Sequence, residues 1–205
     1  MMRGKYIAFE GLEGCGKSTH VTRLAAGLDG VATREPGGTP IGASLRAAML
    51  DANNTSLSPR AEALMMAADR AQHMQDVILP AIQSGRHVVS DRSVYSSLAY
   101  QGYGRELGPS LIRGFNSWAI QDTWPDLVVY IEVPTDVLLE RLKKRELDRF
   151  EREDRGFFDR VAEGFRAMAA AEPYRWLVVD GMPPKDELAA TIHAKVVEHL
   201  HLGNS

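Results

Sequence analysis

The chain has 205 residues, 44% hydrophobic and 25% charged, with a formal net charge of -3 at pH 7. That composition suits one folded unit with a sizeable core. The charge balance excludes a general nucleic-acid footprint, and no apolar run approaches the roughly 20 residues that cross a bilayer.

Taken in chain order, short apolar runs alternate with helical patterns. Residues 6–9 (Tyr-Ile-Ala-Phe) read as a first buried strand, followed by a helix from Lys17 to about Leu28. A brief second strand, 31–33, is broken by Glu35-Pro36-Gly37-Gly38-Thr39-Pro40, and residues 41–50 carry apolar side chains at helical spacing. After a polar loop at 53–58, Ser58-Pro59 starts a long helix that runs toward Ser84-Gly85 and bends near Pro80. Further strands are expected at 87–90, 127–131 and 176–179. Continuous apolar strands separated by helices predict an α/β fold, a five-stranded parallel sheet with helices on both faces. Residues 1–5 lack the pattern of a secretory signal. With Cys15 as the only cysteine no internal disulfide forms, which fits a reducing compartment. The six histidines show no zinc-site spacing.

Ligands of such folds bind beyond the carboxyl ends of the strands. Here those ends carry Glu10-Gly11, Arg34-Glu35, Asp91-Arg92 and Glu132-Val133-Pro134. The segment Gly11-Leu12-Glu13-Gly14-Cys15-Gly16-Lys17-Ser18, followed by Thr19, matches G-x-x-x-x-G-K-[ST] between a strand and a helix. Glycines let the backbone wrap a phosphate, and the loop amides and helix N-terminus give it partial positive charge. Lys17 is expected to reach the β- and γ-phosphates, and Ser18 to hold Mg2+ with ATP. The fold is therefore the P-loop NTPase fold, one domain over 1–205. No guanine-reading Asn-Lys-x-Asp segment is present, and the length points to a small kinase acting on a metabolite.

Thr33-Arg34-Glu35-Pro36-Gly37-Gly38-Thr39, Asp91-Arg92 and Ala99-Tyr100-Gln101-Gly102, together with Phe9-Glu10-Gly11 and the P-loop, resemble bacterial thymidylate kinase in order from about residue 5 to 160. The resemblance implies phosphoryl transfer from ATP to dTMP in a cytoplasmic homodimer. It implies that Arg92 pins the acceptor phosphate and that Asp91 sits near the magnesium. Arg70 would meet a thymine carbonyl, while Ser96, Tyr100 and Gln101 would line the nucleoside pocket. Glu13 would face the deoxyribose 3′-hydroxyl, Arg34 lies on the acceptor side, and Arg46 is a weaker contact beside the base. Where the family has a phenylalanine one turn before the base-reading arginine, this chain has Met66.

Residues 142–156 are expected to form a lid. Arg145 and Arg149 stand about one helical turn apart, so a lid helix would present both. The P-loop has no arginine between its end glycines. In the family this goes with catalytic arginines in the lid, and Leu147-Asp148-Arg149-Phe150-Glu151 resembles such a lid. Arg149 is then the catalytic arginine with Arg145 assisting, Arg141 stacks on adenine, and Glu151 approaches the acceptor or metal. Two rivals stay open: a related kinase with another acceptor, such as dUMP or a deoxynucleoside, and a P-loop ATP-binding regulator that forms no phosphorylated product.

Overall fold

The computed structural model describes residues 3–143 and 146–202. Five strands form one parallel sheet: β1 (Tyr6–Glu10), β2 (Val31–Arg34), β3 (Val88–Asp91), β4 (Leu127–Glu132) and β5 (Trp176–Asp180), in the order β2-β3-β1-β4-β5. Every β1 side chain is buried, and so are five of the six in β4. This is what an apolar run predicts for a strand covered on both faces. Each fully buried Ile, Val or Phe in these strands is worth about 1.5–3 kcal/mol relative to exposure, so the central strands anchor the loops that leave them.

The helices are α1 (Lys17–Gly27), α2 (Pro40–Leu50), α3 (Pro59–His73), α4 (Leu79–Gln83), α5 (Val94–Ser97), α6 (Pro109–Ala119), α7 (Thr135–Leu142), α8 (Arg155–Ala171) and α9 (Lys185–His199). α1 and α9 pack together on one side of the sheet, and α8 covers the other with the segment Leu98–Gly104. The helix starts follow local chemistry. Thr39 Oγ1 accepts from the Gly42 amide and Ser58 Oγ from the Ala61 amide, each with proline as the first helical residue. The bend expected near Pro80 takes the form of a π-helical turn, Met74–Ile78, between α3 and α4. Pro80 has no N–H to give to the carbonyl four residues earlier, which is why the α-helical ladder is interrupted there.

The expected lid helix is corrected. α7 ends at Leu142, and Arg149 lies in a turn rather than on a helix. The cause is Asp148, whose Oδ1 accepts from the amides of Phe150 and Glu151 and fixes a non-helical turn. Asp154 then caps α8 by accepting from the Phe157 amide. Arg145 lies outside the described residues.

Candidate active site

The carboxyl ends of β1, β2 and β3 open on one cavity of about 260 Å³. The P-loop forms one wall. Gly11 leaves β1 at φ 146°, where an added Cβ would stand 2.8 Å from the Ile131 carbonyl oxygen, and Gly16 turns the chain into α1 at φ 98°. Only glycine fits both places without strain. Lys17 is the first residue of α1 and is nearly buried. Its Nζ donates to the Gly11 and Leu12 carbonyls at 2.9 and 3.0 Å. Ser18 Oγ donates to Asp91 Oδ2 at 2.5 Å, which joins the P-loop to the end of β3. Cys15 is buried inside the loop with its Sγ 3.6 Å from Lys17 Nζ. Arg141, in the last turn of α7, donates to the Gly14 carbonyl at 3.0 Å and lies over the loop. Thr19 follows in α1 but does not line the cavity.

A second wall, joined to the P-loop through Arg92, is cationic. Arg34, Arg46 and Arg92 all line the cavity. Burial lowers the pKa of Arg46, and repulsion from Arg34 and Arg92 lowers it further. Such mutual repulsion marks a place built for an anion. Arg92, at φ 74°, fans its guanidinium over this wall. It donates to Glu13 Oε1 (2.6 Å), Ser96 Oγ (3.0 Å), the Gly11 carbonyl and Tyr100 Oη (both 3.2 Å). Burial opposes the charge on Arg92, but Tyr100, Glu13, Glu10 and Asp91 outweigh it and raise its pKa. Glu13 shows the converse. Burial favours its neutral form, yet Arg92, Lys17 and the Tyr100 hydroxyl, which donates at 2.6 Å, hold it below the ordinary carboxylate value.

The third wall comes from α3 and the segment after α5. Met66, Arg70, Ser96, Ser97, Tyr100 and Gln101 face the cavity. Arg70 is almost fully buried. Its Nε donates to Glu35 Oε2 at 2.7 Å, Nη1 to Ser97 Oγ and Asn116 Oδ1, and Nη2 to the Ser93 carbonyl. Glu35 also meets His73 Nδ1 at 2.9 Å. Burial works against its charge, but Arg70 and His73 bring its pKa below the ordinary value. Asp69 accepts from the Gly37 amide at 2.9 Å. The Arg-Glu-Pro-Gly-Gly turn is therefore clamped onto α3 by the consecutive residues Asp69 and Arg70.

Of the lid residues, Asp148, Phe150 and Glu151 line the cavity and Arg149 does not. Arg149 Nη2 donates to Glu62 Oε2 at 2.6 Å and Nε to the Met49 carbonyl at 2.8 Å, with the guanidinium stacked on Phe150.

Glu62 and Ser97 have no place in the sequence reading, and Glu10 enters it only as the residue ending the first strand, without a role. Glu62 was visible as the first of an i, i+4, i+8 stripe with Met66 and Arg70 on α3. Ser97 had no signal beyond its place one residue after Ser96. Glu10 is fully buried at the end of β1. It accepts from Ser93 Oγ (2.7 Å), Ser96 Oγ (2.6 Å) and the Ser96 amide (3.2 Å). Burial raises its pKa to about 7, against the pull of Arg92 and the two serines. The folded state holds this proton more tightly than the unfolded chain. Its contribution to stability is therefore complete below about pH 4.5 and lost as pH rises through about 7. The displacement corresponds to about 3 kcal/mol. Glu10→Gln should flatten the fall in unfolding free energy between pH 5 and 8, read by urea titration against the parent protein. An unchanged pH slope would show that Glu10 ionises normally.

A P-loop and an arginine cluster lining one cavity is the arrangement of a phosphotransferase. Residues 9–192 match the family model described as thymidylate kinase. The chain belongs to the thymidylate kinase family. It is 45% identical to the thymidylate kinase of Geobacter sulfurreducens over 190 residues, covering 87% of this chain and 89% of the relative. It is 44% identical to that of Nitrosomonas europaea over 204 residues, covering 97% and 94%. The crystal structure of thymidylate kinase from Ehrlichia chaffeensis superposes with a TM-score of 0.76 at 30% identity, over 97% of this chain and 99% of that one. As in other members of the thymidylate kinase family, the chemistry is ATP-dependent phosphoryl transfer, and the fold is the P-loop NTPase fold read from the sequence.

Proposed function

We propose that this chain transfers the γ-phosphoryl group of ATP to the phosphate of dTMP, giving ADP and dTDP for dTTP synthesis. The observation that carries the reading is the gathering of Lys17, Ser18, Arg34, Arg46 and Arg92 around a single cavity, with Lys17 and Arg92 meeting on the Gly11 carbonyl. An oxygen of the acceptor phosphate forms the new P–O bond as the bond to the ADP oxygen breaks. That oxygen is already anionic, so no general base is needed. Two phosphates brought together repel strongly, and Arg92 screens them. Lys17 exchanges its loop carbonyls for phosphate oxygens. Ser18 and Asp91 offer hard oxygen donors and would hold Mg2+ arriving with ATP, which would supply charge neutralisation at the phosphate oxygens.

On the acceptor, Glu13 faces the sugar hydroxyl, and Ser96, Tyr100 and Gln101 enclose the nucleoside. Arg70 gives its remaining N–H to a base carbonyl. Arg141 covers the adenine side of the P-loop. The segment 142–156 serves as the lid of a single domain. Arg149 acts on the transferring group after leaving Glu62 as the lid closes, with Arg145 assisting. Closure expels water that would otherwise hydrolyse ATP.

Exposed Ile41, Leu64, Leu111 and Trp118, on α3 and on α2 and α6 that each pack against it, support pairing with a second copy. Among the described residues no helix is long and apolar enough to cross a membrane, which accords with the cytoplasmic location the resemblance implies.

Met66 packs as a flexible thioether where a ring would stack on the base, and Phe150 adds an apolar wall to the same cavity. Met66→Phe is expected to lower the KM for dTMP by about threefold through the gained ring contact. Unchanged binding and specificity would take Met66 off the base. The function itself is tested by ADP release with Mg-ATP and dTMP, with dTDP identified as the product.

A further inference from the structure

Among the described residues, Glu62 is a fully buried carboxylate to which the proposed chemistry gives no role and which touches the acceptor cavity through Gln101. It has no exposed surface. Its Oε1 accepts from Gln101 Nε2 at 2.8 Å, and its carboxylate also receives Arg105 Nη2 at 3.1 Å and Arg149 Nη2 at 2.6 Å. Held by Arg105 through both Nε and Nη2, and by Arg149 until the lid closes, Glu62 can only accept. The amide of Gln101 must therefore turn its NH2 toward Glu62 and its carbonyl away. Gln101 is itself buried and lines the cavity, and no described group donates to its Oε1. Beside it, four of the five N–H bonds of Arg70 are given to Glu35, Ser97, Asn116 and the Ser93 carbonyl. One Nη2–H is left.

The cavity thus offers a base one fixed acceptor and one fixed donor. A pyrimidine with a carbonyl oxygen beside an N3–H, as in thymine or uracil, satisfies both. Cytosine brings an acceptor at N3 and an amine donor beside it, and meets both groups with the wrong polarity. A buried mismatch of this kind leaves polar groups unpaired and costs far more than a lost van der Waals contact.

We propose that Glu62 is a positioning residue for base selection: by fixing the orientation of the Gln101 amide, it makes the acceptor pocket reject cytosine. This rests on the reading that the acceptor is a pyrimidine nucleoside monophosphate.

The test is Glu62→Gln, which keeps the shape and lets residue 62 either donate or accept. The readout is the ratio of the dCMP inhibition constant to the dTMP KM, since a merely structural role would weaken both ligands alike. The expected result is a fall in that ratio by about tenfold or more, with dTMP weakened and dCMP strengthened. In a Gln101→Leu background the same substitution should change the ratio no further. Where Glu62→Gln alone does not fold, the charge-balanced pair Glu62→Gln and Arg105→Gln serves the same comparison. An unchanged ratio, or equal weakening of both ligands, overturns the proposal. Parent protein that turns over no dTMP overturns the reading beneath it, and the two failures are distinguished by that control.

Discussion

Arg92→Met is expected to lower kcat/KM for dTMP by about 10³-fold, in the range found when a charge-stabilising donor is taken from a phosphoryl-transfer or oxyanion site. Three features of the site set this size. The guanidinium sits between the P-loop carbonyl of Gly11 and the nucleoside-side groups Ser96 and Tyr100. It stays charged because Tyr100, Glu13, Glu10 and Asp91 outweigh its burial. It is also part of the repelling arginine cluster that lowers the pKa of Arg46. Methionine keeps much of the length but none of the donors, and it leaves Glu13 without its ion-pair partner. Both KM for dTMP and kcat should suffer, because in the proposed reaction the same group binds the acceptor phosphate and screens it from the donor. Steady-state kinetics with varied dTMP measures both. A variant within threefold of the parent would remove Arg92 from the space between the phosphates.

Lys17→Met is expected to lower kcat by about 10²–10³-fold while leaving dTMP affinity nearly unchanged. Its ammonium is held within 3.0 Å of the Gly11 and Leu12 carbonyls, at the root of the loop rather than on the acceptor wall. The loss should therefore fall on the ATP side. The contrast with Arg92 is the informative part: one variant changes dTMP binding, the other does not. Isothermal titration of dTMP into each protein separates them. Equal loss of dTMP affinity in both would mean that Lys17→Met disturbs the whole loop rather than the phosphate contact.

Much of this was legible from residues alone. Strands β1, β3, β4 and β5 could be read from their apolar runs, the brief β2 from its β-prone Val-Ala-Thr ahead of the Glu35–Pro40 break, and the P-loop because its glycines sit between strand and helix. The two clusters after β2 and β3 could be placed in one site because parallel strands bring their carboxyl ends together. What failed to show were effects carried by single polar side chains across the fold. Arg145 and Arg149 look like a helical pair by spacing, but Arg149 lies in a turn that the Asp148 carboxylate holds. Arg70 reads as a base-facing arginine, yet four of its N–H bonds hold the pocket together. Glu62 looks like a solvated helix residue until Gln101, Arg105 and Arg149 are seen to converge on it. Periodicity reports which face is buried, and it carries no record of which buried charge meets which partner.

The most direct test of the central claim is product identification with the purified protein. Mg-ATP is supplied with dTMP, dUMP, UMP, dCMP, dGMP or thymidine in turn, and the nucleotides formed are separated by chromatography. The account predicts one dominant reaction, with dTDP and ADP appearing in equal amounts from dTMP. Faster turnover of any other acceptor, or ATP left intact across the whole panel, would contradict it.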